Sequence, residues 1–97
     1  MDEALRSLIR RREAIIDEVR KILVDDLYVQ VPPASIEVDA LLFATGLGLD
    51  SLDAVELVVA SEQRFGVAMP MDVLRGQLRS INTLADLVIE LQDAKAR

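Results

Sequence analysis

Apolar residues recur at three- and four-residue steps along the first quarter of the chain: Leu5, Leu8, Ile9, Ile15, Ile16, Val19, Ile22 and Leu23. A helix gathers residues so spaced onto one side, which predicts a single apolar stripe on a helix of about five turns. Arg12 falls where that stripe wants another apolar residue, so its aliphatic stem is expected along the edge of the core. The Arg10-Arg11-Arg12 run around it reads as a solvated face of mixed charge. Helix one should cover about 3–25 and end near Asp25-Asp26. Val31-Pro32-Pro33 cannot prolong it, because each proline lacks an N–H and restricts the residue before it.

The stretch 26–50 then has the length of a connection that is unusual in a small domain unless it is packed or functional. Its apolar residues, Tyr28, Val29, Val31, Ile36, Val38, Leu41, Leu42, Phe43, Leu47 and Leu49, predict a packed one, with a helical turn at Val38–Ala44. Asp50 and Ser51 are both good N-cap types, and helix two should cover about 51–65, closed by Gly66 as a left-handed C′ residue. Pro70 suits the first turn of a short helix three over about 70–79, although Gly76 weakens it. Thr83-Leu84-Ala85-Asp86 resembles a capping box and opens helix four over about 83–95. The expected fold class is all-α, one domain of four helices with a long packed loop after the first and a short third.

Composition narrows the chemistry. The 97 residues include no Cys and no His, which removes disulfides, thiolate nucleophiles, Ser-His triads and the commonest metal ligands. An apolar share of 52% argues against disorder. A catalyst here would have to work with carboxylates, Lys, Arg or Ser, so a binding or carrier module is favoured, with no catalytic residue and no metal ligand. Net charge is −6, and residues 25–66 hold eight acidic groups against the single base Arg64. Such a middle third repels nucleic acid and anionic membrane and attracts basic protein surfaces. The longest uncharged runs, Leu27–Ile36 and Ala40–Leu49, are too short to span a bilayer, and no signal peptide pattern is visible. The expectation is a soluble cytoplasmic monomer without stable membrane insertion.

Helix two carries two apolar faces. Leu57, Ala60, Ser61 and Phe65, flanked by Ala54 and Val58, form a conventional core side. Leu52, Val55, Glu56 and Val59 lie on another, continued by Gln63. Either the long loop covers this second strip, or it is a binding surface for a partner with an apolar groove rimmed by Arg or Lys. Ser51 is ambiguous in the same way. It is either a helix cap, or, if Asp50 caps, an exposed hydroxyl at the positive end of a helix, where a phosphate ester would meet free N–H groups. A carboxylate hydrolase built on Asp50, Asp53 and Glu56 is disfavoured, since acidic groups at such spacing are usually solvated.

The run Gly48-Leu49-Asp50-Ser51-Leu52-Asp53-Ala54-Val55-Glu56-Leu57, with Phe65-Gly66-Val67 and Pro70 following, resembles the acyl carrier protein family. Asp-Ser-Leu alone is a weak signal; with Asp53, Val55, Glu56, Leu57 and the later Phe-Gly-Val in phase it is specific. The close match covers about 25 residues, and the four-helix plan extends it to the whole chain. The resemblance implies a four-helix bundle in which Ser51 bears 4′-phosphopantetheine, transferred from coenzyme A by a phosphopantetheinyl transferase, with acyl groups held as thioesters on the arm. It implies that Asp50 helps recognition at the attachment point. It makes Leu52, Asp53, Val55, Glu56, Val59 and Glu62 a docking strip for acyl-loading, condensing and modifying enzymes with basic patches, in fatty-acid, polyketide or specialised lipid synthesis. Phe43, Leu57, Ser61, Val73 and Leu78 become the acyl pocket. Three features depart from the family pattern: Arg64 in the usually acidic approach to Phe-Gly, Ser61 where a large apolar residue is usual, and longer first- and third-helix regions. They point to a specialised member. The alternative is a non-catalytic helical interaction domain in which Ser51 only caps.

Overall fold

The computed structural model describes residues 2–43, 46–70 and 74–96, and among these every long helix begins where a short polar side chain stands in for a missing carbonyl. Helix α1 spans Glu3–Lys21, and the Asp2 carboxylate accepts the Leu5 N–H at 2.8 Å. Helix α2 spans Ser51–Phe65, α3 Leu74–Gln77 and α4 Ile81–Ala96. No β-strand occurs among the described residues; an isolated parallel bridge joins Phe43 to Leu49. The fold is all-α, and among the described residues no helix is long and apolar enough to cross a membrane.

Beyond Lys21 the helix widens into a π segment, Ile22–Asp26, whose closing bond runs from the Leu27 N–H to the Ile22 carbonyl. The wider turn brings Ile22, Leu23 and Leu27 into the core together. Tyr28 ends the segment in the left-handed region, φ 59°, while the Val29 N–H reaches back to the Leu23 carbonyl. That bond spans seven residues, one more than the six-to-one Schellman closure of an α-helix, and it turns on a left-handed residue of the kind glycine ordinarily provides.

The apolar stripe of α1 is not one core face. Ile15 and Val19 are buried, but Leu5, Leu8 and Ile9 are exposed. A 19-residue helix is about 28 Å long, and its first turns overhang the elements that cover the rest. The arginine run is also more than a solvated face. Arg10 pairs with Glu3, but Arg11 reaches Asp93 and Gln92 of α4, and Arg12 reaches Asp86 and Asn82. Two adjacent arginines thus clamp α4 at points about two turns apart.

The long connection packs through Ile36, Leu42 and Leu49, which are buried. Its backbone is fastened at several places. Arg20 donates two bonds to the Ile36 carbonyl, the Leu42 N–H donates to Arg79, and the Asn82 N–H donates to Val38. A single 3-10 turn lies at Pro33–Ser35. The helical turn expected at Val38–Ala44 is replaced by one tight turn, Ala40 N–H to Glu37 carbonyl, followed by the Phe43–Leu49 bridge; Ala44 lies outside the described residues. The competing bonds to Arg79 and Asn82 hold this backbone away from a helical ladder.

Helix α4 starts two residues before the position suggested by its Thr83–Asp86 pattern. The box is Ser80 with Thr83: the Thr83 N–H donates to Ser80 Oγ at 3.2 Å, and the Ser80 N–H donates to Thr83 Oγ1 at 3.0 Å. Thr83 is thus the third residue of the helix rather than its cap, and Asp86 serves Arg12 instead. Of the expected third helix, the described part is Leu74–Gln77; Pro70 and Leu78 fall outside it, and residues 71–73 are outside the described set.

Candidate functional site

The N-terminus of α2 settles which of two adjacent residues caps. The Asp50 carboxylate accepts the Asp53 N–H at 2.9 Å, and the Asp53 carboxylate accepts the Asp50 N–H at 3.0 Å. This reciprocal pair occupies both acids and leaves Ser51, the first helical residue, exposed. Among the described residues nothing bonds the Ser51 hydroxyl. The Ser51 and Leu52 N–H groups have no carbonyl one turn earlier to bond, and the helix macrodipole adds positive potential there. A free hydroxyl beside unpaired amides suits a phosphodiester, so the residues present fit a phosphate-linked prosthetic group.

The two faces of α2 separate cleanly. Leu57, Val58, Ala60 and Ser61 are buried. Leu52, Val55 and Val59 are 68%, 52% and 46% exposed, with Glu56 and Gln63 beside them in solvent. The described part of the long connection therefore packs elsewhere and leaves the strip open. The acids around the strip differ. Glu56 is exposed with no partner among the described residues, Asp53 is half-buried in the cap, and Glu62 accepts the Met69 N–H at 2.8 Å, steadying the link that follows the helix.

Arg64, the only base between residues 25 and 66, turns out to be neutralised within the molecule. Its guanidinium pairs with Glu18 of α1 and lies 3.6 Å from Asp26 of the π segment. The exposed side of α2 thus keeps its acidic character. At the far end of the helix, Gly66 adopts φ 65°, and its N–H and that of Val67 both donate to the Glu62 carbonyl. Gln92 and Lys95 of α4 donate to the Phe65 and Gly66 carbonyls, at 3.2 and 2.7 Å. These two contacts had no local sequence signal, because donors and acceptors are about 28 residues apart.

Of the residues expected to line an acyl pocket, Leu57, Ser61 and Leu78 are buried, Phe43 is half-buried, and Val73 lies outside the described residues. Ser61 Oγ is enclosed with no hydrogen-bond partner. A separate open cleft of about 520 Å³ lies between the end of α2 and α4, lined by Glu62, Gly66, Val67, Ala68, Leu91 and Lys95. It contains none of the pocket residues expected from the sequence.

A family model described as the phosphopantetheine attachment site matches residues 17–88. The acyl carrier protein of Sinorhizobium fredii (strain NBRC 101917 / NGR234) is 40% identical over 82 residues, spanning 84% of this chain and 96% of that protein. AcpP, the acyl carrier protein of Rhizobium meliloti (strain 1021), matches to the same extent. An exposed serine hydroxyl at a positive helix end, in a chain with neither Cys nor His, is the local counterpart of that similarity. The chain belongs to the acyl carrier protein family, whose members are carriers rather than catalysts and hold 4′-phosphopantetheine covalently.

Proposed function

We propose that Ser51 is the attachment residue, esterified with 4′-phosphopantetheine from coenzyme A by a phosphopantetheinyl transferase. The observation that carries this reading is the Asp50–Asp53 box, which relieves Ser51 of capping and leaves its hydroxyl exposed and unbonded. When bound, the group supplies a thiol on which acyl chains are carried as thioesters. The protein's own residues do the rest. Asp50 holds the helix start in the shape a transferase must read. Leu52, Val55 and Val59 offer an apolar strip to partner enzymes, and Glu56 gives that strip an acidic rim.

The partners of this reading are acyl-loading, condensing and modifying enzymes with basic docking patches, in cytoplasmic fatty-acid, polyketide or specialised lipid synthesis. Acidic charge speeds encounter, and a small strip lets the carrier leave after one step. We take residues 1–97 as one domain, a four-helix bundle working as a monomer, with the acyl chain sheltered beside the inner face of α2 near Leu57, Ser61, Phe43 and Leu78. The reading in which Ser51 only caps loses its support to Asp50.

The test is intact mass before and after incubation with coenzyme A and a promiscuous transferase, with Ser51→Ala alongside. One phosphopantetheine-sized gain, absent in the variant and matched by one new titratable thiol, is the expected result. No gain in a folded sample already shown to lack the group would refute it.

A further inference from the structure

Two polar side chains are buried among the described residues, Ser61 and Ser80. Ser80 is fully employed in the cap of α4. Ser61 is not: it has 0% exposure, and its Oγ has no partner. Buried hydroxyls nearly always find one, and an orphan in a native fold needs a reason. A helical serine can ordinarily donate to the carbonyl four residues back, here Leu57, and Ser61 does not. The need for a small side chain does not explain it either. The chain places Ala at the neighbouring buried position 60 and at position 85 of α4, and alanine at 61 would fill almost the same space without a desolvated hydroxyl.

The orphan sits about 15 Å along α2 from Ser51, on the inner face, one turn beyond the fully buried Leu57. Ser61 is therefore a polar point on the otherwise apolar buried face of α2. On the carrier reading, a saturated acyl chain sheltered against that face would leave the hydroxyl unpaired, whereas a chain bearing oxygen would pair it. We infer that the acyl cargo of this carrier bears a hydroxyl or keto oxygen along its chain, and that the Ser61 hydroxyl is the specificity-determining contact that recognises it. The inference rests on the carrier reading of Ser51 and narrows the class of cargo.

The first measurement needs no cargo. Ser61→Ala in the unmodified protein should melt at the same temperature as the parent or higher, since no bond is lost. A clear fall would mean that the hydroxyl already has a partner in the folded chain, and would overturn the inference. Next, parent and Ser61→Ala are loaded through the Ser51 arm with chains of equal length, one saturated and others bearing a single hydroxyl or keto oxygen at successive carbons. Loading is verified by mass and melting temperature is read by calorimetry. In the parent, at least one oxygenated chain should stabilise more than the saturated one, by a hydrogen bond's worth of about fivefold to tenfold in the folding equilibrium. In Ser61→Ala that difference should vanish. Equal stabilisation by all chains, or a preference that survives in Ser61→Ala, overturns this inference and leaves the carrier reading standing. Failure of the parent to take the arm at Ser51 overturns both.

Discussion

Tyr28 and Gly46 show what single residues contribute. Tyr28 holds the left-handed conformation that closes the π segment, yet its side chain is 76% exposed. Little packing opposes its removal, whereas the backbone conformation disfavours any Cβ. Tyr28→Gly should therefore raise stability by about 1 kcal/mol in urea denaturation; a loss would show that the exposed ring packs in solution. Gly46 has the opposite constraint. An added Cβ would overlap the backbone carbonyl of Leu41, which already accepts the Leu47 N–H at 2.9 Å. Neither backbone can yield cheaply, so Gly46→Ala should lower stability by about 1–3 kcal/mol. An unchanged urea midpoint would rule that clash out.

Helix ends decide the elements. The Ser80–Thr83 box predicts that Ser80→Ala costs about 1 kcal/mol, within the usual range for a cap. Asp86→Ala removes only a half-exposed ion pair with Arg12 and should cost less, up to about 1 kcal/mol. A larger loss in Asp86→Ala than in Ser80→Ala would favour the Thr83–Asp86 assignment instead. Gly66 was legible in the sequence because a glycine after an apolar helical run has one common use, the left-handed exit. The Ser80 box was less legible, since Ser80 and Thr83 are both cap types and only the bonds made decide which one caps. On α2, Leu52, Val55 and Val59 could be recognised as a second apolar face from their spacing. Whether the loop covered that face depended on contacts many residues distant. Glu56→Lys reverses the exposed acid of the strip. It should slow modification of Ser51 by a transferase with a basic docking patch by about tenfold at low salt, with unchanged circular dichroism. An undiminished rate would remove α2 charge from recognition.

At the scale of the whole molecule, side-chain bridges between distant segments set how the helices lie. Arg11 and Arg12 clamp α4, Arg64 joins α2 to α1 and the π segment, and Lys95 and Gln92 close the end of α2. These are mostly half-exposed pairs, each modest in energy, and they act chiefly on orientation. The sequence alone carried the all-helical class, the Asp-Ser-Leu run around Ser51 on which the proposed attachment rests, and the acidity of the middle third, because periodicity, caps and charge are local properties of neighbouring residues. Tertiary structure alone decided that Arg64 is internally paired, that the first turns of α1 overhang the core, that the strip on α2 is open, and that Ser61 is enclosed without a partner. Each of these depends on which atoms from remote parts of the chain come within bonding distance, and no local pattern carries that information.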